Sequence, residues 1–208
     1  YNTVQKLEVG VPEDATFEPV APRKESPIVF YGTSITHGAS ASRPGMTHPA
    51  ILGRRLNCPI INLGFSGNGR LEIEIAAMLA ELDAAVYVID CLPNLSEPEV
   101  IAERTEPFVK LLRNIRPDTP IILVEDRTYT NAWVFGSKRT RHRDCRAALL
   151  RAYDNLVAAG IRDLHYQPGH LLLGTDTEAT MDSSHPSDLG FWRQANELEK
   201  TISAILGE

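Results

Sequence analysis

Four short stretches of this sequence hold residues able to do chemistry. Gly32-Thr33-Ser34-Ile35-Thr36 places a hydroxyl two residues past a glycine, at the end of the apolar run Val29-Phe30-Tyr31. Glycine tolerates close backbone approach, so such a serine can project from the end of a strand. A serine hydroxyl is a weak nucleophile at neutral pH and needs a base. Asp182-Ser-Ser-His185-Pro186 offers one. A carboxylate three residues before a histidine can take the imidazole Nδ1–H and leave Nε2 free to accept a proton. Asn62-Leu-Gly64-Phe-Ser66-Gly67-Asn68-Gly69 has three glycines in six residues, a loop whose N–H groups can face an anion. Asn94, in Leu92-Pro93-Asn94-Leu95, adds a neutral amide donor suited to an oxyanion. Each stretch has an ordinary alternative: a turn or cap serine, a flexible loop, a turn asparagine, a surface pair. Asp182 and His185 could also be two metal ligands, but a third and fourth at sensible spacing are missing.

The elements that must position these groups follow from apolar runs. Strands are predicted at Pro27–Tyr31, Pro59–Leu63, Ala85–Cys91, Pro120–Val124 and Leu164–Tyr166. Several are continuously apolar, as in strands buried on both faces. Helical windows alternate with them at Pro44–Leu56, Leu71–Leu82, Glu97–Ile115, Arg139–Ala159 and Asp188–Leu206. Ser96-Glu-Pro-Glu99 reads as a capping box, and Gly160 as a left-handed helix stop. This alternation predicts an α/β fold, a parallel five-stranded sheet covered on both faces. Sites in such sheets lie at the carboxyl ends of the strands, where all four stretches fall.

Residues 1–27 are different: proline-rich, charged, and read as an extended lead-in or linker from a domain upstream. The chain of 208 residues carries a net charge of −6, which disfavours nucleic acid and anionic lipid as partners. No apolar run approaches the ~20 residues of a membrane span. Cys58, Cys91 and Cys145 form no C-x-x-C pair, and Cys58 and Cys91 read as small buried hydrophobes. No signal peptide is legible, which leaves the compartment open, secreted and periplasmic residence included.

Taken together, Ser34, the glycine loop, Asn94 and Asp182-x-x-His185 resemble the SGNH hydrolases, the GDSL esterase/lipase superfamily, over about residues 28–206. The stretches YGTSITHGASASRPGM and YVIDCLPNLS resemble a bacterial branch that often carries an extra N-terminal β-rich domain. The resemblance implies a three-layer α/β/α, flavodoxin-like catalytic domain over 28–208. It further implies a metal- and cofactor-free triad of Ser34, His185 and Asp182, with an oxyanion hole of Ser34, Gly67 and Asn94. Two positions depart from the family pattern: Thr33 stands where an aspartate usually precedes the serine, and Leu95 where one usually follows the asparagine.

Residues 125–143 leave the end of the fourth strand and should border the site. Glu125, Asp126 and Arg127 offer hydrogen bonds, Tyr129, Trp133 and Phe135 flat faces for a sugar ring, and Lys138, Arg139, Arg141 and Arg143 a basic cluster. His37 and His48 are candidate rim residues, while His142, His165 and His170 read as structural or surface groups. No long apolar lid is present, so a short acyl group, acetyl above all, on a small-molecule or glycan alcohol is the expected substrate. The competing readings are a lysophospholipase or thioesterase, a non-catalytic glycan-binding module and a metal-dependent hydrolase. Homo-oligomerisation is left open.

Overall fold

A computed structural model describes residues 4–207. Five parallel strands, β1 (Ile28–Gly32), β2 (Ile60–Gly64), β3 (Val86–Asp90), β4 (Ile121–Val124) and β5 (Leu164–Gln167), lie in the order 2-1-3-4-5. The helices are α1 (Ser34–His37), α2 (His48–Arg55), α3 (Ile73–Leu79), α4 (Pro98–Ile115), α5 (Gly136–Ala158) and α6 (Asp188–Leu206). The expected three-layer fold is present, and its physical basis is legible strand by strand. Along β1, Val29 and Tyr31 enter the core under α3, α4 and α5, while Ile28 and Phe30 enter the core under α2 and α6. Tyr87/Ile89 and Val86/Val88 of β3 divide the same way. Side chains alternate with period two, so a strand with both faces buried must be apolar throughout.

The chain runs outward from β1 to β2 and then returns to β3 on the other side. The order therefore reverses between β1 and β3, which is where open α/β sheets form their crevice. Gly32 and Asp90 are register partners at that point.

Several predicted elements are corrected. The window Pro44–Leu56 is two pieces: a 3₁₀ turn over Pro44–Met46, then α2. Thr47 is extended between them, its side chain accepting from the Ala50 N–H, and Pro49 sits in the first turn of α2, where its missing N–H costs nothing. α3 starts late because buried Leu71 has a φ of +57°, outside helical space. The capping box at Ser96 does not form. Glu97 is the N-cap without a side-chain bond, and its carboxylate instead accepts from the Ser96 N–H. Gly160 does stop α5, with a φ of +84°. Cys91 and Cys145 are buried, whereas Cys58 is half-buried. Residues 4–27 contain neither helix nor strand and are exposed as far as residue 25; residues 1–3 of the predicted lead-in lie outside the described part. No helix among the described residues is long and apolar enough to cross a membrane.

Candidate active site

Ser34 is the first residue of α1, so the strand-to-helix junction presents it. Thr33 is the N-cap, accepting from the Ile35 N–H at 3.2 Å. The junction is tight: a Cβ on Gly32 would lie 2.1 Å from Thr36 Oγ1, and one on Gly69 would lie 2.1 Å from the Gly32 carbonyl. Only glycine fits at either position, and this packs the loop after β2 onto the end of β1. The Phe65 N–H seals the contact by donating to the Gly32 carbonyl at 2.9 Å.

Residue 185 comes from the far end of the chain. Thr180 and Pro186 form an antiparallel bridge, and the Met181 N–H donates to the His185 carbonyl at 2.9 Å, so the intervening turn is closed. Inside it, Asp182 Oδ1 accepts from the backbone N–H groups of Ser184 (3.0 Å) and His185 (2.7 Å). Asp182 Oδ2 lies 2.6 Å from His185 Nδ1, and His185 Nε2 lies 3.0 Å from Ser34 Oγ. Partial burial opposes ionisation of Asp182. The bonds from His185 and Ser184 outweigh it and hold the carboxyl at about 2. A carboxylate on Nδ1 fixes the tautomer in which Nε2 accepts, and Nε2 faces the serine hydroxyl.

Asn94 ends a second 3₁₀ turn, Leu92–Asn94, after β3. Its amide donates to the Phe65 carbonyl at 3.5 Å, which ties it to the glycine loop. Gly67, two residues past Phe65, has a φ of +74° and open space where a Cβ would be. The glycine there serves the backbone conformation rather than packing.

The remaining candidates separate sharply. His37 is exposed on the last residue of α1, one turn past Ser34. Trp133 is 74% exposed, and Tyr129 is half-buried with its ring against His142. Arg127 is corrected: it is fully buried, with Nη2 at 2.8 Å from both Asp90 oxygens, and has no surface to offer a ligand. Glu125 is corrected likewise, since it accepts from Tyr166 Oη and the Gly169 N–H at 2.7 Å each. His48 is no rim residue but lies buried between Phe30 and Phe191, and burial drives its pKa well below the usual imidazole range. His142 accepts from the Tyr129 N–H through Nε2, and burial pushes it down to about 4. The four cations of the loop form no basic patch. Arg139 bonds the carbonyls of Ala132 and Trp133, Lys138 bonds Asn131 and Ser183, Arg143 bonds Asp144, and Arg141 turns inward to Asp126. Asp90, Asp126, Arg127 and Arg141 form a buried layer that sequence reasoning missed, having placed Asp126 and Arg127 toward a ligand and Arg141 in a surface cluster. Charged residues at or just past the ends of apolar strands were a signal for Asp90, Asp126 and Arg127, but nothing local marked Arg141 on α5. Among the described residues no three His, Cys, Asp or Glu side chains group as a metal site.

Fold and site together define an α/β protein that sets a serine hydroxyl, an imidazole and a carboxylate in line at the carboxyl end of its parallel sheet. Residues 25–203 match the GDSL-like Lipase/Acylhydrolase family, and the chain belongs to it. Among solved structures it is similar to a GDSL-like chain from Bacteroides ovatus, at 42% identity and a TM-score of 0.84. That match covers 88% of this chain and 54% of the other, so this chain spans about half its length. It shares the fold of a salicylyl-acyltransferase from a tetracycline biosynthetic pathway, at 22% identity and a TM-score of 0.76, covering 90% and 56% of the two chains. A family two carbohydrate esterase from Clostridium thermocellum, solved with cellohexaose, shares it at 17% identity and a TM-score of 0.69, covering 90% and 67%. No curated protein sequence matches.

Proposed function

We propose that this protein hydrolyses short acyl esters, acetyl foremost, carried on a polar alcohol such as a carbohydrate. The observation that carries this reading is the unbroken chain Ser34 Oγ–His185 Nε2–Asp182, at 3.0 and 2.6 Å. Ser34 Oγ attacks the ester carbonyl carbon as His185 Nε2 takes its proton, and Asp182 stabilises the imidazolium that forms. The developing oxyanion meets the backbone N–H groups of Ser34 and Gly67 and the amide of Asn94. Collapse expels the alcohol, protonated by His185, and leaves an acyl-serine. Water, deprotonated by the same imidazole, then releases the acid and restores Ser34.

Two features support the choice of substrate. The void in the core behind the Asn94 turn, between Leu71, Cys91, Leu92, Leu123 and Leu149, is only about 10 Å³, so no acyl tunnel runs into the core there. A groove of about 240 Å³ beside the histidine turn is lined by Thr128, Tyr129, Thr130, Trp133 and His170, hydroxyls and flat faces suited to a sugar. The name of the Clostridium thermocellum neighbour agrees with a glycan ester.

The test is a chain-length series of p-nitrophenyl esters, read beside acetylated oligosaccharides. Acetate should give the highest kcat/KM, falling steeply by octanoate; a maximum at eight carbons overturns the short-acyl reading. Covalent labelling of Ser34 by an organophosphonate is expected, and its failure would favour a glycan-binding module. Trp133→Ala should raise KM on the acetylated oligosaccharide about 2–10-fold, as loss of one aromatic face implies, and leave p-nitrophenyl acetate unchanged.

A further inference from the structure

We propose that Arg141, on α5, is the positioning residue that holds Asn94 in place, which rests on the reading of Asn94 as an oxyanion donor. The turn carrying Asn94 has little of its own to fix it. Its N-cap, Cys91, makes no side-chain cap bond to the turn, its thiol donating instead to the Tyr31 carbonyl, and the turn closes on only two backbone bonds, Asn94 N–H to Cys91 and Leu95 N–H to Leu92, at 3.1 and 3.0 Å. The residue after the asparagine is Leu95, which is buried and has no polar group to brace the amide. Support arrives instead from a helix almost fifty residues away in sequence. Arg141 Nη2 lies 3.2 Å from each of the carbonyls of Leu92, Pro93 and Leu95, bracketing Asn94 on both sides. Its Nε adds a 3.4 Å contact to Ser96 Oγ.

The fork is itself anchored. Arg141 Nη1 donates to Asp126 Oδ2 at 2.5 Å, and the Asp126 side chain is only 1% exposed. The Tyr129 ring centroid lies 5.3 Å from the guanidinium carbon. One planar cation thus joins the buried end of β4 to the turn after β3. Lysine cannot replace it, because a single ammonium does not span a carboxylate on one side and three carbonyls on the other. A small displacement of a donor that acts only in the transition state lowers kcat without changing ground-state binding.

The experiment is a double-mutant cycle on p-nitrophenyl acetate with Arg141→Lys, Asn94→Ala and their combination, with thermal melts confirming folding. Arg141→Lys retains the charge opposite Asp126. It should lower kcat about 10–10²-fold, the scale of a displaced catalytic group, with KM within twofold. In the Asn94→Ala background the same change should cost less than about threefold, because the group it positions is gone. Asp126→Asn, which loosens the anchor without touching the turn, should reproduce the loss in kcat alone. Equal losses in both backgrounds, or a change confined to KM, overturn the positioning role and leave the oxyanion reading standing. An Asn94→Ala enzyme with normal kcat overturns the oxyanion reading itself, and the Arg141 role with it.

Discussion

Asp182 and Asp90 each face a cationic or ionisable nitrogen, and the two pairs could hardly be housed more differently. Asp182 is 54% exposed and its partner His185 31% exposed, on a turn open to solvent. Asp90 and Arg127 are 1% and 0% exposed at the switch point of the sheet, a layer below. Bonds from the turn hold the Asp182 carboxyl at about 2. Burial raises Asp90 above its ordinary value, although Arg127 pulls in the opposite direction. The outer partner is an imidazole, with one ring nitrogen on the carboxylate and the other on the Ser34 hydroxyl. The inner partner is a guanidinium, a fixed fork of donors with no acceptor. The difference teaches a division of labour. In the proposed reaction, the group that exchanges protons with a substrate sits at the surface, where its charge is affordable. A charge that only holds backbone together can be buried once and for all. Thr36 shows the connection: its hydroxyl donates to Asp90 Oδ2 at 3.3 Å, so the inner pair braces the helix that begins at Ser34.

That contrast can be broken from either side. Ser34→Ala should lower kcat by about 10³-fold or more while shifting stability by no more than about 0.5 kcal/mol. A variant that keeps a tenth of its kcat breaks the chemical half of the comparison. Arg127→Met should do the reverse, costing about 3–5 kcal/mol of unfolding free energy because Asp90 is left in the core without its counter-ion, with only the longer bonds from Thr36 and Gln194. Adding Asp90→Leu should recover most of that loss in urea titrations. If Arg127→Met alone is neutral, the buried pair is no brace. Asp182→Asn should lower kcat by one to two orders of magnitude less than Ser34→Ala, since the base and nucleophile remain.

The smallest effect sharpens the electrostatics. The Asp182 carboxyl lies at about 2 in the folded protein against an ordinary 3.8. A depressed carboxyl contributes stability that is fully present above the unfolded value and is lost as pH falls through the folded one. The stability gap between wild type and Asp182→Asn should therefore be constant above about pH 4 and close between pH 4 and 2. Urea midpoints across that range read it directly, and a gap that persists unchanged to pH 2 removes the assignment.

The central strands β1, β3 and β4 were legible because burial on both faces leaves little room for polar residues: Val86–Asp90 is apolar until its last position. The long C-terminal helix was legible to the residue, Asp188–Leu206, because its apolar spacing runs uninterrupted from Ser187 to the Gly207 stop. Leu71 misled because nothing in its type announces a left-handed backbone. Glu125 and Arg127 misled for a related reason. Charged residues in a loop at the carboxyl end of a strand are expected to face outward, and these two fold back under the sheet edge to satisfy Tyr166, Gly169 and Asp90.

By itself, the sequence determined the layer architecture and which residue types stand at the strand ends, since both follow from local pattern: period-two burial, glycine where only glycine fits, and a carboxylate three residues from an imidazole. Only the tertiary structure decided which of those polar groups face solvent and which are buried. Whether Arg127 reaches a ligand or Asp90, and whether Arg141 joins a surface patch or clamps the carbonyls around Asn94, depends on partners many residues away. Local sequence carries no signal for such pairs, because a guanidinium can be satisfied by water or by a buried acceptor, and the fold alone settles which one is in reach.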